Sequence, residues 1–302
     1  MNPRKSHLDV WASSILLGCC VFWGFQQVLV KATLPEVSPI WQAGLRFVGA
    51  TVLLWAWMRW RGLPLLQDDG SWRTGLWVGL LFSGEFVCIY WGLQHTTASR
   101  LTIFLYTSPF WVALLLPLWV KSERMRWQQW LGLLLAFSAV VFALRDGLLQ
   151  PLTPDQWLGD ALALGAGAFW GWTTVAIRST RLIRVSPEKL LFYQVANAAV
   201  LLPVLAWLMG EDLRLDYSAW AWGSIVVQAA GGAFASYLIW MWMLGRYPAT
   251  QLSTFAFLTP VFALMFGTWW LGEPLTLSVL VALVGVTPAR NLRSASGMPS
   301  RS

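Results

Sequence analysis

Apolar stretches long enough to span a membrane alternate with short polar connections along this chain. A helix needs roughly 17 to 25 predominantly apolar residues to cross a bilayer. Ten stretches qualify or nearly do so, and the pattern predicts an all-α integral membrane protein with ten transmembrane helices, the last one short. They cover approximately 11–30, 40–58, 73–93, 98–120, 127–144, 157–177, 189–208, 218–245, 249–271 and 275–286.

The first half of this pattern recurs in the second half. A Phe-Trp-Gly motif at 22–24 and a Val-Ser-Pro motif at 37–39 return in the same order at 169–171 and 185–187. A second pattern also recurs. In the first half, Ala98 is followed by Thr-Ser-Pro at 107–109, and in the second half Ala249 is followed by Leu-Thr-Pro at 258–260.

The duplication predicts the domain organisation. Each repeat holds five predicted helices, and an odd number places the second repeat upside down in the membrane relative to the first. We therefore expect a first five-helix repeat at 10–144, an inverted second repeat at 157–287 and a polar tail at 288–302. Duplicated, inverted bundles are typical of secondary transporters, in which two similar packings open to opposite sides.

Composition and charge agree with a membrane setting. Of the 302 residues, 57% are hydrophobic and 12% are charged, whereas soluble domains carry about 25% charged residues. The positive-inside rule favours a multi-pass inner-membrane protein with both termini in the cytoplasm. The inner loops and tails would then hold Arg4, Lys5, Arg59, Arg61, Arg73, Lys121, Arg124, Arg126, Arg178, Arg181, Arg184, Lys189, Arg246, Arg290, Arg293 and Arg301, and the outer loops Lys31, Arg100, Arg145 and Arg214.

The net charge of +7 needs no nucleic-acid partner, because inner loops that face anionic lipid carry such an excess. We expect a small-molecule substrate and membrane lipids as partners, and the oligomeric state stays open.

Arg46 and Glu85 are the charged residues that fall deep in the predicted helices. An intramembrane charge costs at least about 2.5 kcal/mol on insertion scales, so it needs a partner or a polar cavity. Glu85 could accept a proton or balance a cationic group, and Arg46 could bind a carboxylate. Together they hint at a zwitterionic substrate. The alternative is a structural ion pair in which the two neutralise each other.

Polar and aromatic side chains near the duplicated motifs are the other candidates for substrate binding or coupling. For each of them the alternative is helix packing, because amides and hydroxyls join transmembrane helices and many aromatic residues belong to the core or the interface belt. The amide and threonine side chains could line one central polar cavity, and the aromatic ones could supply an aromatic lining for amphipathic or cationic solutes. The candidates are Trp23, Gln26, Gln27, Tyr106, Trp170, Thr174, Gln194 and Asn197.

Pro109 and Pro260 occupy matching places in the fourth and ninth predicted helices. Proline has no N–H, so the carbonyls of Leu105 and Ala256 lose their usual donors. We expect a hinge or kink at each proline. Binding of substrate or water by the freed carbonyls is the alternative.

Sequence motifs for catalysis are missing. The chain has no Gly-x-x-x-x-Gly-Lys, His-Glu-x-x-His or Gly-x-Ser-x-Gly motif, and its two histidines, His7 and His95, lie in the amino-terminal tail and an outer turn. We expect no enzyme activity, no cofactor and no metal site. A membrane-embedded enzyme and a passive channel remain the alternatives, although no repeated filter loop of the kind that channels use is present.

These features resemble the EamA-type members of the drug/metabolite transporter superfamily. The resemblance covers about 10–286 and rests on the doubled Phe-Trp-Gly and Ser-Pro motifs, on the segment from Gly92 to Pro109, and on Gly272-Glu273 with its counterpart Glu123. It implies a secondary active transporter that carries a small metabolite, such as an amino acid or an amphipathic compound, by alternating access and in the outward direction. Proton coupling is left open and would depend on Glu85.

One feature departs from that family. Thr-Pro-Ala-Arg at 287–290 ends the last predicted helix early, whereas the tenth helix of the family is longer and rich in Gly and Ala. Either this helix is tilted or incomplete, or the carboxyl terminus has been altered.

Overall fold

A computed structural model of the chain describes residues 7–64, 69–149 and 154–271. Within these ranges the secondary structure is helical and contains no strand. Six helices are long and apolar enough to cross a membrane, and a shorter apolar helix covers Trp127–Phe142. The six are Val10–Thr33, Trp72–Gly92, Ser99–Leu118, Pro187–Leu208, Ala219–Arg246 and Ala249–Trp270.

The helices follow one another with short connections. In chain order they are α1 (Val10–Thr33), α2 (Pro39–Trp60), α3 (Trp72–Gly92), α4 (Ala98–Leu105), α5 (Ser108–Leu115), α6 (Trp127–Ala143), α7 (Arg145–Leu149), α8 (Gln156–Ser179), α9 (Pro187–Leu208), α10 (Ala219–Val227), α11 (Tyr237–Arg246), α12 (Ala249–Phe255) and α13 (Leu258–Leu271). Short 3₁₀ turns cover Leu116–Leu118, Lys121–Glu123 and Arg181–Arg184, and a π-helical segment, Gln228–Ser236, joins α10 to α11.

The prediction of an all-helical membrane protein is thus confirmed. The tenth predicted span, 275–286, and the motif at Gly272-Glu273 lie outside the described residues, so the ten-helix count stays a prediction. Two predicted spans are interrupted, because α4 ends before α5 begins at Ser108 and α12 ends before α13 begins at Leu258. In both cases the helix restarts just before the predicted proline.

The repeated Val-Ser-Pro motif is a helix start. Pro39 and Pro187 occupy the first turns of α2 and α9, where the fixed φ of proline suits the helix and its missing N–H is not needed. The hydroxyl of Ser186 accepts a hydrogen bond from the backbone N–H of Lys189 at 3.2 Å. At α1 the carboxylate of Asp9 accepts one from the N–H of Ala12 at 2.8 Å.

The packed helices α2 and α9 run in opposite directions. At the start of α2, Ser38 donates to the carbonyl oxygen of Asp212, beyond the end of α9, at 3.2 Å. At the start of α9, Lys189 pairs at 2.9 Å with Asp69, which follows α2. The two Ser-Pro motifs therefore lie at opposite ends of a helix pair about 33 Å long.

Glycines let several helices pack closely. A Cβ at Gly79 in α3 would overlap the backbone oxygen of Tyr193 and lie 2.9 Å from Asn197 Cβ in α9. A Cβ at Gly167 in α8 would lie 2.8 Å from the carbonyl oxygens of Phe104 and Leu105, at the junction of α4 and α5. Small residues of this kind allow close helix contact, which matters in lipid because no hydrophobic driving force brings the helices together there.

The helices pack as two lobes, and each lobe mixes the two halves of the chain. In the first lobe, α8 packs against α3, α4 and α5. In the second lobe, α1 packs against α13 and against the π-helical segment between α10 and α11, and α12 leads directly into α13. The pair α2 and α9 lies between the lobes, with α2 against the π-helical segment and α9 against α3.

Candidate functional site

Arg46 is the most unusual side chain of the described core. It lies in α2 and is 2% exposed. The centre of its guanidinium is 4.6 Å from the ring centroid of Phe47 and 5.1 Å from that of Phe86, so cation–π attraction stabilises the charge. Nε and Nη2 have no hydrogen-bond partner among the described residues. The aromatic rings therefore compensate the charge only in part, and two N–H donors remain available.

Glu85 lies near Arg46 without pairing with it. The carboxylate is in α3 and is 8% exposed. The charge of Arg46 acts electrostatically on Glu85 and also on Tyr90 and Tyr237, which places these four side chains in one region. No hydrogen bond or ion pair connects Arg46 with Glu85 in the described part of the chain. The two charges are neighbours, but they do not form the closed ion pair considered above.

A series of ring contacts connects this region with Trp23 of α1. The Trp23 ring is 6.3 Å from Tyr237 and 5.7 Å from Trp240, both in α11. Tyr237 in turn is 6.0 Å from Phe82 in α3, and Phe82 is 5.4 Å from Phe47. The rings beside Arg46 thus belong to a continuous series of aromatic contacts that includes side chains from α1, α2, α3 and α11.

Polar groups of α1 and of the helix from α10 to α11 meet beside these rings. Trp23 Nε1 donates to Ser236 Oγ at 2.7 Å, and Ser236 donates to the carbonyl oxygen of Gly232 at 2.6 Å. The Gln26 side chain lies directly on Gly232, where a Cβ would overlap it. Gln26 Oε1 is buried and has no hydrogen-bond partner among the described residues.

The predicted residues of α8 and α9 occupy several positions in this core. Gln194 is fully buried, and its Nε2 lies 3.6 Å from the sulfur of Met241. Asn197 is partly buried, with its Oδ1 3.4 Å from Ser83 Oγ in α3. Thr174 is 2% exposed. Gln194 and Asn197 therefore join α9 to α11 and α3, near the aromatic region that contains Arg46.

Tyr106 and Trp170 form a second cluster instead. Their ring centroids are 5.7 Å apart at an angle of 84°, and Phe257 is 6.2 Å from Tyr106. Tyr106 is buried at the junction of α4 and α5, and its hydroxyl lies close to Thr259 and Gln27. Gln27 is exposed, in contrast to Gln26. α1 thus presents Trp23 to one cluster and Gln27 to the other.

Pro109 and Pro260 lie in the first turns of α5 and α13. The helix ends three residues or more before each of them, so neither proline sits within an uninterrupted helix. The carbonyl of Ala256 accepts a hydrogen bond from the N–H of Thr259 at 2.9 Å. At both places the chain forms two short helices separated by a break. That these breaks act as hinges stays a prediction.

Three residues around Arg46 and Glu85 could not be singled out from the sequence. Phe47, Phe82 and Phe86 are ordinary apolar residues of two predicted spans. The spacing of Phe82 and Phe86, four positions apart on either side of Glu85, is a weak signal, because side chains four apart share a helix face.

The two halves of the chain differ in charge at this site. Ser38 and Ser186 are 148 positions apart, and the same offset takes Arg46 to Gln194. Leu93 and Leu244 are 151 positions apart, and that offset takes Glu85 to Ser236. The first half therefore contributes both buried charges, and its counterpart in the second half contributes neutral polar groups.

A separate groove of about 560 Å³ lies along α1, away from Arg46. Its walls are apolar, and Leu17 in it is 41% exposed. The residues that line it are Ser14, Leu17, Gly18, Val21, Phe22, Phe25 and Phe266. Its position and lining fit contact with lipid tails rather than the binding of a polar solute.

Comparison with known proteins identifies the family. The chain matches the EamA-like transporter family twice, over residues 10–145 and 157–289. It is 28% identical to an uncharacterized transporter of Synechocystis sp., with 93% of this chain and 90% of that protein aligned. It is 24% identical to a probable amino-acid metabolite efflux pump of Salmonella typhimurium, with 85% of each chain aligned.

A solved crystal structure shares the fold, with a TM-score of 0.80 over 93% of this chain and 97% of the other at 19% identity. The family and the named relatives are transporters rather than enzymes. With its apolar helices and two family matches over most of its length, this multi-pass membrane protein belongs to the EamA-like transporter family.

Proposed function

We propose that this protein is a secondary active transporter that exports a small metabolite, such as an amino acid or an amphipathic compound, by alternating access. Membership of a transporter family supports transport, and the similarity to a probable amino-acid metabolite efflux pump supports the direction and the solute class. The observation that carries the proposal is Arg46, a buried guanidinium with two unpartnered nitrogen donors beside two phenyl rings.

Arg46 in this role binds a carboxylate of the substrate. A buried, uncompensated charge costs several kcal/mol, and a carboxylate placed against the fork of the guanidinium removes that cost through charge-assisted hydrogen bonds. Glu85, close by and unpaired, balances a cationic group of the substrate or accepts a proton. The absence of an ion pair between these described side chains favours this role over a purely structural one.

The other candidates shape the space around that contact. Trp23 and the neighbouring rings offer aromatic faces to the apolar part of a solute or to its cationic group, as Tyr106 and Trp170 do in the second cluster. The amides and hydroxyls provide hydrogen bonds that fix its orientation. These are Gln26, Gln27, Thr174, Gln194 and Asn197.

The proposed membrane arrangement has both termini in the cytoplasm of a bacterial-type inner membrane and two inverted five-helix repeats at 10–144 and 157–287. The antiparallel packing of α2 and α9 supports it, because the matching Ser-Pro motifs lie at opposite ends of that pair. The breaks before Pro109 and Pro260 act as paired hinges, one in each repeat.

The first test is untargeted metabolite profiling of cells and medium. Cells that overproduce the protein are compared with cells that produce Arg46→Gln at equal membrane abundance. Arg61→Gln is the matched control, since Arg61 follows the same helix but is exposed. We expect at least one carboxylate-containing compound to accumulate in the medium with the protein and with the control, and about ten-fold less with Arg46→Gln, as for loss of a charge-assisted contact.

Equal export by Arg46→Gln would contradict the role of Arg46 while leaving transport itself intact. Export of no compound by any of the three proteins would contradict the proposed function. Once a substrate is known, saturable counterflow in proteoliposomes distinguishes a carrier from a passive channel, whose flux does not saturate.

Proton coupling depends on Glu85 in this proposal. We expect an imposed pH gradient to drive substrate uptake into proteoliposomes that contain the intact protein, and to have no effect with Glu85→Gln, which cannot release a proton. Flux through Glu85→Gln that still follows the gradient would remove Glu85 from the coupling step.

A further inference from the structure

A second pair of buried charges lies far from Arg46 along the chain. Glu123 follows α5 in a 3₁₀ turn, and Arg178 lies in the last turn of α8. They form an ion pair, and the side chains of Arg178 and Glu123 are 0% and 3% exposed. Neither residue is used by the binding centre proposed above.

This pair also binds the turn between α11 and α12. Arg178 Nη1 donates to the carbonyl oxygen of Leu244 at 2.8 Å. The N–H of Ala249 donates to Glu123 Oε1 at 3.3 Å, and the hydroxyl of Thr250 donates to Oε2 at 3.2 Å. The cation thus binds the end of α11 and the anion binds the start of α12, in keeping with the dipoles of the two helix ends.

The contact crosses from one lobe to the other. Glu123 and Arg178 extend from α5 and α8 of the first lobe, whereas Leu244 lies in α11 of the second lobe and Ala249 and Thr250 lie in α12, which connects α11 to α13 of that lobe. α12 also packs against α5. In the proposed orientation the cluster lies at the cytoplasmic end of the bundle.

We propose that Glu123 and Arg178 form a cytoplasmic latch, which closes the cytoplasmic end of the transporter and must open whenever the binding centre faces the cytoplasm. This inference rests on the alternating-access function proposed above. In this proposal, the three hydrogen bonds between the ion pair and the α11–α12 turn break when the lobes separate.

The chemistry of the pair suits a reversible contact better than a permanent one. A buried ion pair adds little net stability over apolar residues of the same volume, because desolvation offsets most of the attraction. When the lobes separate, water can hydrate both ions and the freed N–H and C=O groups. The closed and open states therefore differ little in free energy, as a cycling transporter requires.

A partly buried ion pair in the described chain serves as the control. Arg100 pairs with Asp160, and its Nε donates to Asp160 Oδ1 at 3.1 Å. These residues belong to α4 and α8, both in the first lobe. Breaking this pair removes a largely inaccessible ion pair, whose side chains are 11% and 17% exposed, without removing a contact between lobes.

Two serines provide reporters of access. Ser253, one turn into α12, is 1% exposed, and Ser224 in α10 is 2% exposed. In the proposed orientation Ser253 lies near the cytoplasmic side and Ser224 near the outer side. Ser253→Cys and Ser224→Cys are made singly after Cys19, Cys20 and Cys88 are replaced by alanine, since these are the cysteines of the chain. Labelling of Ser253→Cys with a membrane-impermeant maleimide is measured in inside-out vesicles. Labelling of Ser224→Cys is measured in right-side-out vesicles.

Glu123→Gln is expected to raise labelling of the Ser253→Cys thiol on the order of ten-fold, because hydrogen bonds to a charged group are lost, and to leave the Ser224→Cys thiol, already buried at the outer side, without any rise in labelling. Thr250→Val removes one of the three bonds and gives a smaller rise at Ser253→Cys, again with none at Ser224→Cys. Glu123→Asp partly restores the original ratio of Ser253→Cys labelling to Ser224→Cys labelling. Arg100→Gln leaves the ratio unchanged.

Unchanged labelling of both reporters, or an equal rise of both, would overturn the latch, since a general loosening of the fold exposes both sides together. Thr250→Val provides the same comparison if Glu123→Gln fails to reach the membrane. The labelling ratio does not depend on a known substrate. A shifted ratio without export of any compound would therefore reject the proposed function and keep the latch.

Discussion

At the scale of single residues, the protein compensates buried charges in two different ways. Arg178 is neutralised by Glu123 and also donates to a backbone carbonyl. Arg46 lies against two aromatic rings, forms no ion pair with the nearby Glu85 and retains unpartnered donors. Nε of Arg178 also lacks a partner among the described residues, but its charge is paired with a carboxylate. Because a carboxylate pairs with Arg178 and none in the described part of the chain pairs with Arg46, the first suits a contact between two parts of the protein and the second suits a site that receives a ligand.

A charge at the edge of the bundle predicts a dependence of stability on pH. Asp69 accepts a hydrogen bond from Ser71 and pairs with Lys189, and these contacts lower the pKa of Asp69 to about 2. A carboxyl whose pKa is lower in the folded state contributes stability above its unfolded pKa of about 3.9 and loses it as the pH falls through the folded value. The contribution should therefore vanish between about pH 4 and pH 2.

The test compares Asp69→Asn with the unchanged protein by thermal unfolding in detergent. At pH 7 we expect the variant to be less stable by no more than about 1 kcal/mol, because the carboxylate is partly exposed and solvent screens it. The difference should shrink below pH 4. Asp212→Asn is the control, since that side chain is 72% exposed and should change little. If Asp69→Asn were as much less stable at pH 2 as at pH 7, the charge of Asp69 would not be the cause of the difference in stability.

The residue types at the site were predictable to a limited degree. A lone Arg and a lone Glu within apolar spans are visible in the sequence, because lipid makes each of them costly. The rings of Phe47 and Phe86 around Arg46 were not predictable, since the contact depends on how α2 and α3 face each other. The pairing of Glu123 with Arg178 was missed for the same reason, although both residues had been noted separately.

At the scale of helices, glycine positions decide which elements can touch. Gly79→Ala should destabilise the protein by about 1 to 3 kcal/mol, because its Cβ would collide with the backbone of α9 and force the helices apart. Gly18→Ala in α1 is the matched control, since a Cβ there meets nothing within 4 Å, and the gain in helix propensity should leave stability equal or higher. Thermal unfolding in detergent measures both. Equal effects of the two substitutions would contradict the role of close packing.

The paired helix breaks lead to a prediction about rate. Pro109→Ala and Pro260→Ala each restore an N–H that can bond to the carbonyl four residues earlier, which favours one continuous helix. We expect unchanged or slightly higher thermal stability and a several-fold slower transport cycle, measured as the exchange rate in proteoliposomes. Full transport activity in both variants would show that the breaks are not hinges.

Hydropathy was sufficient to place most helices, because the need to satisfy backbone groups in lipid leaves few alternatives to a continuous helix. It placed α1, α2, α3, α6, α8 and α9 within a few residues. The breaks at 106–107 and 256–257 were foreseen only as kinks at the prolines. The π-helical segment at 228–236 carries no proline and had no sequence signal, although its Gly231-Gly232 pair is where Phe22 and Gln26 of α1 approach closely.

At the scale of the whole molecule, the sequence repeat and the packed lobes are different divisions of the chain. The repeats divide it near its middle, whereas each lobe combines helices from both halves. Sequence motifs can show the duplication, but they contain no information on which helices pack together, because those contacts join residues far apart in the chain. The position of the latch therefore emerged only from the structure.

The inverted arrangement predicts opposite exposure of the two Ser-Pro motifs. With the native cysteines replaced, Ser38→Cys should react with an impermeant maleimide added outside the cell, and Ser186→Cys only in inside-out vesicles. The expectation follows from their positions at opposite ends of the α2–α9 pair. Reaction of both from the same side would contradict the inverted repeats.

The opposite signs of Arg46 and Glu85 have an electrical consequence. Moving one elementary charge across a membrane potential of 100 mV involves about 2.3 kcal/mol. With both side chains ionised, the centre carries no net charge, so the potential does almost no work on the empty protein as its access changes. Voltage then acts on the cargo and on any coupled protons alone. The current that accompanies transport would therefore report the net charge of what is carried.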